Sequence, residues 1–221
     1  MKNRFDPSLL PPAPDIRFEE KLWNAGIKRI AGIDEAGRGA LAGPVVAAAV
    51  ILPPQSSTIK DLHGLRDSKQ LTASQRADWA ECIRSIAFAW GIGFASHAEI
   101  DQQGIVPATR LAVQRALTNS KIDAEHLLLD YLFLPDDETP QTNLIKGDER
   151  SLSIAGASIL AKTARDGWLI RLESEYPGYR FAQHKGYATS QHLEALDRLG
   201  PCPIHRHTFA PIKERIYIPT V

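Results

Sequence analysis

The chain has 221 residues, enough for one domain with a substantial buried core. It is 43% hydrophobic and 24% charged with a formal net charge of zero, which argues against a uniform electrostatic attraction to nucleic acid but permits a local basic face. The longest apolar run, residues 41–52, is too short to span a bilayer. The N-terminus lacks the order of a signal peptide, and Cys82 and Cys202 have no metal-ligand spacing. We therefore expect a reduced cytoplasmic protein that has no contact with a membrane.

The first third of the chain begins with an extension and continues into two strands. Prolines near the start indicate an N-terminal extension over residues 1–27, ahead of a main domain over residues 28–221, with a short helix at residues 18–23. Strands are predicted over residues 29–34 and 44–52. The glycine-rich stretch between them predicts a tight reversal, so these two strands should pair antiparallel.

Hydrophobic periodicity and helix start and stop signals predict the later elements. A helix should begin at Thr72, where Gln75 three residues later completes a capping box. The remaining predictions are a strand over residues 90–97, a helix with Pro107 in its first turn, a strand over residues 127–130, a long helix over residues 153–175 and a helix over residues 190–199. Three strands followed by alternating helices and strands predict an α/β fold with a mixed sheet flanked by helices, while the strand order stays open.

Acidic residues at the ends of predicted strands are the candidate chemical groups. Asp34 and Glu35 end an apolar strand, Asp130 ends another, and Asp148 precedes the long helix. Buried acids are costly unless a charge compensates them, and oxygen ligands suit Mg²⁺ or Mn²⁺. Consecutive strand residues point to opposite faces, so Asp34 and Glu35 can share a site only if the strand bends or ends at Glu35. For Asp34, Glu35 and Asp130 taken alone, a solvated position in a turn is the alternative interpretation, and for Asp148 it is a residue that precedes a helix, where Asp is favoured.

Four acids from separate segments could hold two metal ions for an in-line displacement at phosphorus. Such a site needs no nucleophilic side chain, and the sequence contains no serine-hydrolase, zinc-protease, Walker or dinucleotide motif. Asp166, inside the long helix, could also be a ligand, but a paired or solvated role is expected. His184 and His205 could be metal ligands, but they lack ligand spacing, and core or phosphate-contact roles are expected.

An ordered set of short motifs carries a resemblance that covers residues 28 to about 215. The motifs are Gly32-Ile33-Asp34-Glu35-Ala36-Gly37-Arg38-Gly39, Gly43-Pro44-Val45-Val46, Asp67-Ser68-Lys69-Gln70-Leu71, Ala108-Thr109, Lys146-Gly147-Asp148, Ala157-Ser158-Ile159-Leu160-Ala161-Lys162 with Arg165-Asp166, His184-Lys185-Gly186-Tyr187 and His205-Arg206. Each motif alone is weak, but the ordered set is specific and resembles the ribonuclease HII family, the type 2 ribonucleases H.

The resemblance implies a ribonuclease H-like fold and an endonuclease that hydrolyses the RNA strand of RNA–DNA hybrids. It implies cleavage at single ribonucleotides embedded in duplex DNA, by a two-metal-ion mechanism that leaves 5′-phosphate and 3′-hydroxyl ends. It also implies that Asp34, Glu35, Asp130 and Asp148 are catalytic and bind Mg²⁺ or Mn²⁺, two ions when substrate is bound. The partners would be hybrid duplexes and DNA duplexes that contain ribonucleotides, and we expect a monomer.

The resemblance also assigns substrate contacts. The Gly37-Arg38-Gly39 loop is expected to touch the 2′-hydroxyl of the ribonucleotide, and Tyr187 to stack near the deoxyribose that follows it. A plain turn and a half-buried tyrosine are the alternative interpretations. The candidate phosphate contacts are Lys69, Lys162, Lys185 and Arg206, although any of them could simply be solvated.

Two positions depart from the family pattern. Tyr131 stands directly after the third carboxylate, where family members commonly have glycine, and Gln70 stands where a second lysine is common. If Tyr131 faces the crevice, it narrows the crevice or contacts substrate, whereas a Tyr131 that faces the core only packs. Two other functions stay open: a two-metal nuclease or phosphotransferase that acts on DNA junctions or single strands, and a nucleic-acid-binding module without catalysis.

Overall fold

The computed structural model describes residue 6 and residues 10–55, 60, 62–65, 68 and 71–216. The elements, in chain order, are α1 (Arg17–Asn24), β1 (Ile30–Ala36), β2 (Val45–Ile51), α2 (Ala73–Ile86), β3 (Ala89–Ala95), α3 (His97–Gln103), α4 (Ile105–Ser120), β4 (His126–Asp130), β5 (Gln141–Leu144), a 3₁₀ turn (Gly147–Glu149), α5 (Leu152–Arg171), α6 (Phe181–His184), α7 (Ser190–Leu199) and α8 (Ile212–Ile216). Among these residues, no helix combines the length and apolar character needed to cross a lipid bilayer.

The strands form one mixed sheet with the order β3-β2-β1-β4-β5. Strands β1, β2 and β3 pair antiparallel, while β4 runs parallel to β1 and β5 runs parallel to β4. The predicted α/β class with a mixed sheet flanked by helices is confirmed. Because β5 has the polar sequence Gln-Thr-Asn-Leu at an edge of the sheet, it lacks the apolar pattern that identified the other strands.

Local sequence signals account for several helix ends. Thr72 and Gln75 form the predicted capping box at the start of α2. A second capping box, Ser96 with Glu99, starts α3 inside the predicted strand 90–97, so that strand ends at Ala95 instead. The prediction of strand through His97 is therefore wrong, because the capping signal outweighs the apolar run before it.

Alternate residues of β2 face two helical layers. Ala48 and Val50 pack with α5 on one face, while Ala47 and Ala49 pack with α4 on the other. On β1, a side chain at Gly32 would overlap the backbone of α5, since an added Cβ would lie 2.5 Å from the nitrogen of Ile154. The glycine therefore lets α5 approach β1 closely, on the strand that carries the predicted acids Asp34 and Glu35.

Helix α1 lies inside the predicted extension and packs on the same core. Ile16 and Trp23 belong to the cluster that α5 and β2 share. The buried carboxyl of Glu19 accepts hydrogen bonds from the hydroxyls of Ser151 and Ser153, both at 2.6 Å, at the start of α5. Burial raises the pKa of Glu19. These contacts tie α1 to the N-terminus of α5, while the domain boundary at residue 28 stays a prediction.

Three buried histidines form a hydrogen-bonded stack beneath the segment that carries Tyr187. The rings of His184 and His192 lie 4.3 Å apart, and Nε2 of His192 lies 3.0 Å from Nε2 of His205. Nδ1 of His192 donates to the carbonyl of Tyr187, so its Nε2 must accept the proton of His205 Nε2, whose Nδ1 then accepts from the N–H of Cys202. The network is complete with neutral rings, so His184 and His205 are core residues.

We expect a Gly32→Ala substitution to lower the free energy of unfolding by about 3 kcal/mol, because the new methyl group would push α5 away from β1. Chemical denaturation followed by circular dichroism measures this change. The matched control is Gly167→Ala within α5, where the nearest atom to an added Cβ is 3.7 Å away and alanine should stabilise the helix by about 1 kcal/mol. Equal effects of the two substitutions would contradict close packing at Gly32.

The histidine stack predicts a loss of stability in acid. Burial lowers the pKa of His192 and of His205 to about 4, against an ordinary value of 6.5. Their contribution is present above pH 6.5 and is lost as pH falls toward 4, which amounts to on the order of 3 kcal/mol for one such histidine. Chemical denaturation at pH 7 and pH 4.5 should show a smaller difference for His192→Asn than for the wild type. The exposed His207, replaced by glutamine, is the control and should behave like the wild type.

Candidate active site

Two of the predicted acids lie side by side where parallel strands end. Ile33 pairs with Leu129 between β1 and β4, so the next residues, Asp34 and Asp130, are aligned. Neighbouring parallel strands present aligned residues on the same face. For Asp34 and Asp130 this is the α5 face, because Leu128, two residues before Asp130, packs in the α5 cluster. Asp34 is only 7% exposed.

Glu35 reaches the same cleft although β1 does not stop there. β1 does not end at Glu35, because Glu35 still pairs with Ala47 of β2 and the strand continues to Ala36, so the expectation of a strand end there is wrong. Instead the neighbouring strand β4 ends at Asp130, and its pairing with β1 stops at Ile33, which leaves the far edge of β1 open. Both carboxylates therefore line one cleft. Arg38 donates to Glu35 at 3.0 Å across the turn that follows.

Asp148 is brought to this end of the sheet by the 3₁₀ turn after β5. The N–H of Gly147 donates to Oδ1 of Asp130 at 2.8 Å, which ties the turn to the end of β4. An added Cβ on Gly147 would lie 3.4 Å from Cα of Asp130 and 2.8 Å from Ile154, so the glycine allows this close approach. Asp148 is buried. The turn thus places a fourth acid beside the strand ends.

The four acids interact electrostatically. The pKa of Asp34 is raised well above its usual value, first by burial and then by the negative charges of Glu35, Asp130 and Asp148, while a hydrogen bond to Ser158 opposes the shift. In the described part of the chain, no group of three or more acidic, histidine or cysteine side chains is arranged so that it could hold a metal ion. Nevertheless the donor set is oxygen only and has excess negative charge, which fits a hard divalent cation.

One face of α5 covers the cleft. Ser158, Lys162 and Asp166 are spaced by four residues and so share that face. The hydroxyl of Ser158 lies 2.9 Å from that of Ser68, and Nζ of Lys162 lies 2.8 Å from Oδ1 of Asp166. Asp166 also lies 3.6 Å from Arg76. Asp166 therefore has a pairing role: it holds the positively charged side chains of Arg76 and Lys162 beside the cleft.

Two buried arginines support the glycine loop. The guanidinium of Arg206 donates to the carbonyls of Gly37, Arg38 and Gly43 at 2.7, 2.8 and 2.9 Å. Its side chain is fully buried, and burial lowers its pKa to about 9. The predicted phosphate contact for Arg206 is therefore wrong, because every donor group of this arginine is directed at backbone oxygens.

Arg165 is the second support, and sequence reasoning missed this role. Its guanidinium donates to the carbonyls of Ala42, Pro44 and Lys185 at 3.0, 2.9 and 2.9 Å. Gly37, at φ 93°, has no room for a side chain because an added Cβ would overlap Arg165. The available signal is the helical spacing of Arg165 from Ser158 and Lys162, by seven and three residues, which places it on the covering face of α5.

The remaining predicted contacts lie around Tyr187. The Tyr187 ring lines the cleft, with Nζ of Lys162 at 5.4 Å from its centre and the guanidinium of Arg165 at 5.2 Å. Lys185 is partly buried and donates to the backbone carbonyls of Ala182 and Gln183. The cleft lining also includes Gly37, Arg38 and Gly39. Lys69 lies outside the described residues, as does Gln70.

Tyr131 does not face the core. Its side chain is 74% exposed, and its backbone has φ 55°, in the left-handed region. This conformation costs a residue other than glycine about 1–2 kcal/mol. The geometry explains why glycine suits this position, directly after Asp130.

The family model described as Ribonuclease HII matches residues 31–212. The Ribonuclease HII of Synechococcus sp. (strain JA-3-3Ab) is 53% identical over 91% of this chain and 90% of its own length. The Ribonuclease HII of Geobacillus kaustophilus (strain HTA426) is 51% identical over 90% of this chain and 75% of its own length.

A solved structure agrees with these sequence matches. It is the PCNA:RNase HII complex from Archaeoglobus fulgidus, in which the matched chain is 26% identical with a TM-score of 0.67, over 80% of this chain and 91% of that one. The matched region contains all four acids, the glycine loop and Tyr187. The chain therefore belongs to the ribonuclease HII family, endoribonucleases that cleave the RNA strand of RNA–DNA hybrids.

Proposed function

We propose that this chain hydrolyses the RNA strand of hybrids and also cuts at single ribonucleotides embedded in duplex DNA, leaving 5′-phosphate and 3′-hydroxyl ends. The observation that carries the proposal is geometric: acids from β1 and the end of β4 line one cleft, and the 3₁₀ turn that carries Asp148 is bonded to Asp130. Such an excess of negative charge would repel a phosphodiester unless cations lay between them. The same arrangement supports catalysis better than it supports passive binding.

The proposed ligands of the cations are Asp34, Glu35, Asp130 and Asp148. When bound to these oxygens, two Mg²⁺ or Mn²⁺ ions supply activation of a water and stabilisation of the leaving 3′ oxygen. Ser158 orients Asp34 by a hydrogen bond, and the N–H of Gly147 orients Asp130. These protein donors fix the carboxylates before substrate arrives, so little reorganisation is needed at the moment of reaction.

Recognition of the ribonucleotide is proposed for the loop of Gly37, Arg38 and Gly39. An added Cβ on Gly39 would meet nothing within 4 Å, so the backbone of this loop is open to a ligand at that point. Backbone groups that approach closely can read the 2′-hydroxyl, which distinguishes RNA from DNA. Tyr187 would then pack on the neighbouring deoxyribose at the same side of the cleft.

Lys162 and Lys185 are the proposed phosphate contacts. Burial lowers the pKa of Lys185, the charge of Asp166 opposes this, and the positive charges of Lys162 and Arg76 lower the pKa further, so these groups form one cluster. Positively charged side chains beside the acids would position the phosphate backbone of the duplex and would not distinguish one nucleotide sequence from another. For Lys69, the proposed contact with phosphate is supported only by the resemblance to the family.

The proposal also extends to the organisation and setting of the protein. We propose that residues 28–221 form the catalytic domain, and that α1 stabilises it through the contacts of Glu19 with Ser151 and Ser153. A cytoplasmic monomer that acts on nucleic acid duplexes is the expected form.

We expect Asp34→Asn to abolish cleavage of a duplex with one ribonucleotide, with a loss of at least about 1,000-fold in kcat, while the protein folds and binds the duplex. Without added metal, the same variant should be more stable than the wild type, because one buried like charge is removed. Gel-based cleavage mapped to the nucleotide and thermal unfolding in EDTA measure the two effects.

The control for this experiment is Asp123→Asn, an exposed acid just before β4 at the opposite end of that strand. It should cleave and unfold like the wild type. A lower stability of Asp34→Asn in EDTA would show that Asp34 is structural and would contradict the proposal. Wild-type protein that cuts an all-DNA duplex as fast as the ribonucleotide duplex would also contradict it.

Replacing Arg206 with lysine should reduce kcat/KM on the single-ribonucleotide duplex by about tenfold or more, because lysine cannot bond three backbone carbonyls in this geometry. The loss arises from a looser loop, so the variant should retain its fold by circular dichroism. The control is Arg198→Lys, a surface arginine that donates to the carbonyl of Gly178 far from the cleft. An unchanged kcat/KM in the Arg206→Lys variant would contradict the proposal that Arg206 supports the glycine loop.

A further inference from the structure

Tyr131 is an exposed aromatic residue beside the acids that neither the core nor the cleft lining includes. Among the described residues, no other large apolar or aromatic side chain is more exposed than Tyr131, at 74%. The hydrophobic clusters of the described residues do not contain it. Two more exposed apolar side chains belong to neighbouring segments: Phe133 is two residues further along the loop, and Ile145 directly follows β5. The segments next to the end of β4 therefore carry three exposed apolar or aromatic side chains.

The position of Tyr131 across the sheet differs from that of Tyr187. The N–H of Tyr131 donates to the carbonyl of Leu144 at 3.0 Å, which places it on the β5 side of Asp130. Tyr187 packs beside Lys162 and Arg165, next to the turn between β1 and β2. Neighbouring strands are about 4.8 Å apart, and the acids of β1 and β4 lie between these two positions. The backbone positions of the two tyrosines therefore lie on opposite sides of the carboxylates.

The backbone conformation argues for a role in binding. A left-handed φ of 55° favours glycine, and a tyrosine whose ring lies in water gains no packing that would offset the strain. The Cα of Tyr131 is one peptide unit, about 3.8 Å, from that of Asp130. A duplex bound at Asp130 would lie close to Tyr131, and a duplex that covers this residue would bury its exposed aromatic surface.

We propose that Tyr131 is a substrate-binding residue that packs its ring on the nucleic-acid duplex, on the side of the scissile phosphate opposite Tyr187. The inference rests on the proposed function, and it adds a contact at the end of β4. The ring extends the binding surface across the end of β4 toward Phe133 and Ile145. It contributes affinity for the duplex and leaves the chemical step to the acids.

The test compares Tyr131→Gly and Tyr131→Phe with the wild type on a hybrid duplex. Tyr131→Gly should raise KM about five- to tenfold, the effect expected for loss of one aromatic contact to a nucleotide, and change kcat by less than about twofold. Tyr131→Phe keeps the ring and should stay within about twofold of wild-type KM. Because glycine suits φ 55°, the thermal midpoint of Tyr131→Gly should equal or exceed that of the wild type.

Binding is measured separately, by fluorescence anisotropy of a labelled hybrid in an Asp34→Asn background that does not cleave. Adding Tyr131→Gly should weaken the Kd by the same five- to tenfold factor. The matched control is Phe88→Ala, another exposed aromatic, whose N–H bonds to Ile51 at the opposite end of β2 from the cleft. It should leave KM and Kd unchanged.

The outcomes separate the two proposals. Wild-type protein that does not cleave ribonucleotide-containing duplexes overturns the proposed function itself. If the wild type cleaves but Tyr131→Gly has wild-type KM and Kd, the role of Tyr131 is overturned while the proposed function stands. A lower kcat at unchanged KM in a folded Tyr131→Gly protein also overturns it, because the residue would then act on the acids and not on binding.

Discussion

Repulsion among four carboxylates at one end of the sheet is the constraint on which the site depends. Asp34 is buried at the end of β1, and the charges of Glu35, Asp130 and Asp148 act on it together. The fold accepts this cost because each acid is held by a rigid element: two parallel strands, and a turn bonded to the end of β4. Such stored repulsion is typical of sites that gain their stability only when cations bind.

Two buried arginines fix the conformation of the glycine loop, which is open to solvent. Glycines leave the loop accessible but flexible, because they contribute no side chains that could pack against the rest of the protein. Arg165 and Arg206 replace that packing with hydrogen bonds to carbonyls of residues 37–44. Arg165 also reaches the segment of Tyr187, through the carbonyl of Lys185 and a contact with the Tyr187 ring. The loop and the tyrosine are therefore positioned as one unit.

The sequence predicted what depends on local pattern and missed what depends on tertiary context. Asp34 and Asp130 could be identified because each ends an apolar run, and the sheet then aligned them. Arg206 could not be assigned correctly, since arginines are mostly exposed and only the fold shows that this one is buried. Strand β5 was missed because an edge strand of polar residues has no periodic apolar signal. The left-handed backbone of Tyr131 was likewise invisible, because it arises from how β4 leaves the sheet.

The most direct test of shared cation binding is calorimetric titration of Mn²⁺ into the wild type, Asp130→Asn and Asp148→Asn. These acids come from β4 and from the 3₁₀ turn, eighteen positions apart in sequence. If they meet around common ions, each substitution should weaken Mn²⁺ binding by about tenfold or more, relative to the wild type. Wild-type affinity in either variant would show that its acid lies outside the shared site and would contradict the account.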